Sequence, residues 1–165
     1  MTTLDQLFTH VVFPENDGGG SLVLRLEEGD KYWVKLTGVN KSCLAIKLDK
    51  FEAKPGFITN DFNTALLARC DYVVIDTADQ RVAYIELKAG DLGSYCYQLI
   101  GGQMLFTMLI ARVRKFLELE LFDLDNEKTV HVVLRVNAAG AKRKRASREC
   151  LMVCVWVPDP HKEID

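Results

Sequence analysis

Asp71-Tyr72-Val73-Val74-Ile75-Asp76, a polar break, and then Val82-Ala83-Tyr84-Ile85-Glu86-Leu87-Lys88 is the stretch on which the reading of this chain turns. β-branched and aromatic residues crowd both runs, and residues 77–81 between them are short and polar, so the two read as a hairpin. An acid opens the first run; an acid and a lysine close the second. Charged groups inside such strands lose hydration, which is costly unless something compensates them.

Geometry decides which acids can act together. With the turn centred near residue 79, Asp71 lies opposite Glu86 or Leu87. Pairing with Glu86 places both carboxylates on one face, and a slip of one residue separates them. Lys88 follows Glu86 by two residues and so shares its face. Asp76 falls near the turn, away from Glu86, and is the weaker candidate. A divalent cation is the natural compensation for two such carboxylates. The plainer alternative is a cross-strand salt bridge at a sheet edge, worth little if exposed.

Outward from the hairpin, Leu4, Leu7, Phe8, Val11 and Val12 have helical spacing, which predicts a short amphipathic helix over 3–12, capped by Thr2 or Thr3 and ended by Pro14. Gly18-Gly19-Gly20 is a turn, not a phosphate loop, since no Lys-Ser/Thr follows it. Strands are expected at 21–26, 32–37 and 43–48, with turns at 29–30 and 38–40. Residues 49–70 carry the breakers Pro55-Gly56 and Asn60-Asp61, with one helical turn at most over 63–68. A connection this long usually covers or lines a functional face.

After Gly90-Asp91 the spacing predicts a long helix over about 92–117, apolar over a wide arc and therefore largely buried against the sheet. Gly101-Gly102 inside it costs about 1 kcal/mol each relative to alanine and suggests close packing or a kink. Residues 116–122 read as a helix end or a short partner-facing segment. Two further strands are expected at 129–136 and 151–157, followed by a loose tail over 158–165.

A chain of 165 residues suits a single domain, and 48% hydrophobic with 27% charged residues is the balance of an ordinary globular protein. No apolar run approaches the roughly 20 residues that span a bilayer, and the N-terminus lacks a secretory pattern, so a cytoplasmic protein without membrane partners is expected. The net charge of −2 requires any nucleic-acid contact to come from a local patch. Lys142, Arg143, Lys144 and Arg145, with Arg148, form such a patch; a solvated hairpin loop is the competing account. The five cysteines contain no Cys-x-x-Cys pair, and Cys150 and Cys154 alone are poor zinc ligands, so buried free thiols are expected. His10, His131 and His161 are scattered, and His131 reads as a core or edge histidine.

Asp71 at the start of one strand, Glu86-Leu87-Lys88 at the end of the next, and a long helix and strand after them resemble the PD-(D/E)XK nuclease superfamily, the restriction-endonuclease-like fold. Within it, Arg69-Cys70-Asp71-Tyr72, Ile85 through Leu92 and Gln98-Leu99 look like a group of small prokaryotic members. The resemblance covers roughly residues 43 to 136. It implies that Asp71 and Glu86 bind Mg²⁺ or Mn²⁺, with the carbonyl of Leu87 as a further ligand. It implies that Lys88 orients the attacking water or stabilises charge on the phosphate, and that Gln98, or secondarily Gln103, orients the site. Arg69-Cys70 stands where the family often has proline, and the acid many members carry on the first core helix has no clear counterpart. Glu15, just after Pro14, is a poor candidate for it.

The expected fold is therefore a single α/β domain, a mixed central sheet flanked by helices. The expected function is metal-dependent phosphodiester hydrolysis of nucleic acid, DNA by the resemblance. The alternatives are a catalytically degenerate nuclease fold that binds nucleic acid or a protein partner, a homodimer among the assemblies, and an unrelated mixed-sheet domain whose hairpin charges are structural.

Overall fold

The computed structural model describes residues 4–28, 32–50, 68–88, 95–117, 128–136 and 150–153. Among the described residues nine strands and two helices run in the order α1 (Leu4–Leu7), β1 (Val11–Val12), β2 (Glu15–Asn16), β3 (Leu22–Glu28), β4 (Tyr32–Thr37), β5 (Cys43–Lys47), β6 (Tyr72–Asp76), β7 (Arg81–Lys88), α2 (Tyr95–Leu117), β8 (Lys128–Val136) and β9 (Cys150–Val153). They form a six-stranded sheet in the order β1-β5-β6-β7-β8-β9 and a three-stranded sheet in the order β2-β3-β4. The larger sheet is mixed: β5, β6 and β7 are an antiparallel meander, and β8 runs parallel to β7. Parallel neighbours need a long crossover, and α2 lies in this one.

Alternation along the strands gives the larger sheet two apolar faces. Leu44, Ile46, Val73, Ile75, Val82, Tyr84 and Val133 pack with Leu99, Phe106 and Ile110 of α2. Cys43, Ala45, Tyr72, Ile85, Leu87 and Leu134 pack with Leu24, Leu26 and Val34 of the smaller sheet. The structure thus corrects the expectation of flanking helices. Among the described residues one long helix covers one face, and the second face is closed by β3 and β4.

Two other expectations change. Helical spacing over 3–12 yields only the single turn of α1; Val11 and Val12 instead pair with Ile46 and Ala45 on the edge of β5. An unpaired edge strand is a stronger attractor for two valines than a short marginal helix. The wide apolar arc of α2 is only half used. Leu99, Gly102, Phe106 and Ile110 are buried, whereas Tyr97, Ile100, Met104 and Met108 are exposed.

The two glycines of α2 have a clear packing role. A Cβ on Gly101 would fall onto the carbonyl of Ala68, and one on Gly102 onto the Cys70 sulfur. The helix therefore sits directly on the chain that leads into Asp71. Of the described cysteines, Cys43 and Cys70 are buried free thiols, but Cys96 is exposed, against expectation. His131 is half-buried against Tyr84, ring centroids 5.6 Å apart, and burial lowers its pKa, as suits a core-edge histidine. The segments 51–67 and 118–127, the patch Lys142, Arg143, Lys144 and Arg145, and the tail 158–165 lie outside the described residues.

Candidate active site

The turn fixes the register. Asp76 pairs with Arg81, and the ladder runs back to Tyr72 opposite Ile85. One further step sets Asp71 against Glu86. Asp76 itself caps the turn: its carboxylate accepts hydrogen bonds from Ser42 Oγ at 2.6 Å, Asn40 Nδ2 at 2.9 Å and the Ala78 amide at 3.1 Å. Burial opposes its ionisation, but these donors prevail and hold its pKa down to about 2. Asp76 is thus a structural residue of the turn, as its distance from Glu86 suggested.

Asp71 and Glu86 are both buried, with 8% and 2% of their surface exposed. One oxygen of Asp71, Oδ2, accepts the Leu87 amide at 2.6 Å. Glu86 Oε1 meets Lys88 Nζ at 2.7 Å, while Glu86 Oε2 is buried with no hydrogen-bond partner. Lys88 Nζ also donates to Gln98 Oε1 at 2.6 Å, from the first turn of α2. Asp71, Glu86, Lys88 and Gln98 therefore come together at one end of the meander. Gln103 is half-buried further along α2, and Glu15 lies exposed on β2, an edge strand of the smaller sheet and not a helix.

The electrostatics follow from this crowding. Burial, and then the charge of Glu86, lift the Asp71 carboxyl to about 8, against the opposing pull of the Leu87 amide. Burial also raises Glu86, partly offset by Lys88. The pair is short of positive charge, and Lys88 favours Glu86 as its ionised member.

Two acids that the sequence did not single out stand nearby. Glu28, the last residue of β3, and Asp49, just beyond β5, both push the Asp71 pKa upward by their charge. Glu28 Oε2 and Asp49 Oδ1 are buried and have no hydrogen-bond partner. The sequence signal for Glu28 was its phase: it continues the inward-facing series of Leu24 and Leu26.

Family models, curated proteins and solved structures were all compared with this chain. None matches it.

The residues suit a hydrated divalent ion better than a dehydrated one. A buried carboxylate oxygen without a partner, beside a second carboxyl whose ionisation is opposed first by burial and then by its neighbour's charge, is the kind of place that accommodates a cation. Yet among the described residues no three His, Cys, Asp or Glu side chains converge as a ready-made metal group. Mg²⁺ tolerates such a site because it keeps several waters and takes one or two carboxylates directly. Leu87 presents its amide to Asp71, and its carbonyl is a candidate ligand only through the resemblance.

Proposed function

We propose that this chain is a divalent-metal-dependent phosphodiesterase of the restriction-endonuclease-like kind, acting on nucleic acid. The observation that carries the reading is the buried Asp71–Glu86 pair with Lys88, itself held by Gln98, beside it. The order of β5, β6, β7, α2 and β8, with β8 parallel to β7, supports the same reading. DNA as the substrate follows from the sequence resemblance alone.

Asp71 and Glu86, with the Leu87 carbonyl, would hold Mg²⁺ or Mn²⁺. Such an ion, when bound, polarises a phosphoryl oxygen and lowers the pKa of an attacking water. Lys88 is fixed by two acceptors, Glu86 and Gln98, so its ammonium is pre-set rather than free to swing. A donor fixed in this way stabilises negative charge developing on phosphate without reorganising. Burial beneath α2 keeps bulk water from screening these charges.

A second reading, a binding module that has lost catalysis, is favoured by the exposed Tyr97, Ile100, Met104 and Met108 on α2. Purified protein incubated with Mg²⁺ or Mn²⁺ on linear, circular and single-stranded DNA and on RNA separates the two. Cleavage that is lost in Glu86→Gln and in Lys88→Ala is expected. Cleavage that survives in both variants dismisses the site, and binding without cleavage favours the module.

A further inference from the structure

We infer that Cys70 is a positioning residue of the site: its thiol, wedged between Gly102 of α2 and the start of β6, sets the aim of the Asp71 carboxylate. Through the same helix it also fixes Asp71 relative to Lys88. The inference rests on the reading that Asp71 helps to hold a metal, and it gives a role to a buried thiol that does no chemistry of its own.

Asp71 is held from both sides along the chain. Cys70 Sγ donates to the Tyr72 carbonyl at 3.4 Å, which closes a small ring with Asp71 at its centre. The Asp71 carbonyl accepts the Leu48 amide at 2.8 Å. With the backbone fixed in this way, only rotation about the side-chain bonds remains, and Oδ2 comes to rest 2.6 Å from the Leu87 amide. Burial, and then the charges of Glu86 and Asp71, keep the Cys70 thiol protonated. It is therefore a donor in this arrangement and not a nucleophile.

The helix supplies the other jaw. Gln98, Gly102, Phe106 and Ile110 recur every four residues and so form one row along α2. Phe106 and Ile110 seat that row in the core, with the Phe106 ring edge-on to Tyr84. Gly102 leaves the space that Cys70 fills: a Cβ there would meet the sulfur and stand only 3.1 Å from the Cys70 amide nitrogen. One turn earlier, Gln98 Oε1 accepts Lys88 Nζ at 2.6 Å. The same row thus touches the entry of β6 and the end of β7, the two segments that carry Asp71 and Lys88.

Space and chemistry at position 70 both narrow the choice of side chain. Alanine fits beneath Gly102 but loses the bond to the Tyr72 carbonyl. Valine puts a second branch where the helix already lies against the sulfur. Serine adds no atom and keeps a donor. A residue that only filled the core would rank these three by apolar volume; a residue that aims Asp71 ranks serine first.

The test is hydrogen exchange of the Leu87 amide, followed by NMR on the full chain with metal chelated, in wild type, Cys70→Ala, Cys70→Val and Cys70→Ser. The amides of Val73 and Ile85, in the same two strands, report the stability of the hairpin itself. Relative to those two, the Leu87 amide is expected to exchange about five- to tenfold faster in Cys70→Ala and Cys70→Val, the loss of one hydrogen bond. Cys70→Ser is expected to restore most of the protection. Equal acceleration at all three amides, or none at Leu87, overturns the inference, and Cys70→Ala keeps the test decisive if Cys70→Val does not fold. Titration of the same chains with MnCl₂ links the aim of Asp71 to the site: Cys70→Ala should bind more weakly than wild type, and Cys70→Ser as wild type does. Equal Mn²⁺ affinity in Cys70→Ala and wild type overturns Cys70 as a positioning residue of a metal site. A wild-type chain that takes up no Mn²⁺ overturns the metal reading by itself, while the Leu87 exchange still decides whether Cys70 places Asp71.

Discussion

Asp71 accepts the backbone amide of Leu87 at 2.6 Å, so one side chain both completes the strand pairing of β6 with β7 and stands in the candidate site. The register of the hairpin and the position of the acid are therefore one feature. A carboxylate held this way beside Glu86 must either share a proton or find a cation.

The pH dependence of the metal-free protein follows. Burial and Glu86 raise Asp71 from 3.8 to about 8, so the folded chain holds a proton that the unfolded chain releases. Folding stability from this group is fully present below the unfolded value and is lost as pH rises through the folded one. The metal-free melting temperature should fall between about pH 4 and about pH 8. Asp71→Asn should flatten that fall, and Mn²⁺ should oppose it in wild type only. A melting series over pH, with the metal chelated or added, checks all three; an equally steep fall in Asp71→Asn would remove Asp71 as its cause.

Lys88 is the only cation whose contact with Glu86 falls within salt-bridge distance among the described residues. Lys88→Met should leave the buried carboxylate uncompensated and cost roughly 3 kcal/mol in urea unfolding. Pairing it with Glu86→Gln should recover most of that loss, because the charge that needed compensation is gone. A double-mutant cycle measures the coupling directly. Additive losses would mean that the ion pair does not hold the site together.

The hairpin was legible because its register depends on local quantities, the turn position and the alternation of side chains, and these place Asp71, Glu86 and Lys88 without any tertiary knowledge. Gln98 was legible only through resemblance, since a lone polar residue on a helix carries no direction in sequence. Glu28 and Asp49 were not legible: their approach to Asp71 depends on the Tyr72–Glu27 and Leu48–Asp71 hydrogen bonds, which join segments far apart in the chain. Val11 and Val12 were misread for a related reason. Their spacing fits a helix, but the open edge of β5 was invisible from the sequence. The second face of the sheet was assigned to helices, whereas β3 and β4, both foreseen as strands, had no partner layer assigned to them.

Gly102 offers a prediction whose sign separates two accounts. If the glycine were an ordinary helix position, alanine would stabilise the protein by about 1 kcal/mol through helix propensity. The structure sets Gly102 against Cys70, and a Cβ there would collide with its sulfur. Gly102→Ala should therefore destabilise by about 1–3 kcal/mol. It should also displace the chain entering Asp71 and weaken Mn²⁺ binding. Gly102→Ala with Cys70→Ala should restore part of both, since the collision involves the thiol; a stabilised single variant would show that α2 does not press on this chain.

Tyr72→Phe tests whether the smaller sheet matters to the site at all. The change removes only the hydroxyl and leaves the buried ring in the apolar cluster that also holds Ile85 and Leu26. Both Tyr72 hydrogen bonds to the Glu27 backbone go with it. The loss should cost about 1 kcal/mol, since the Glu27 amide loses its partner while the Glu27 carbonyl keeps Lys47 Nζ. Glu28 then loses the anchor that holds it toward Asp71, although no acid has been removed. Mn²⁺ affinity should fall in Tyr72→Phe, and that fall should vanish when the comparison is repeated in a Glu28→Gln background. An affinity unchanged by Tyr72→Phe, at equal folded fraction, would mean that β3 only covers the sheet and positions nothing.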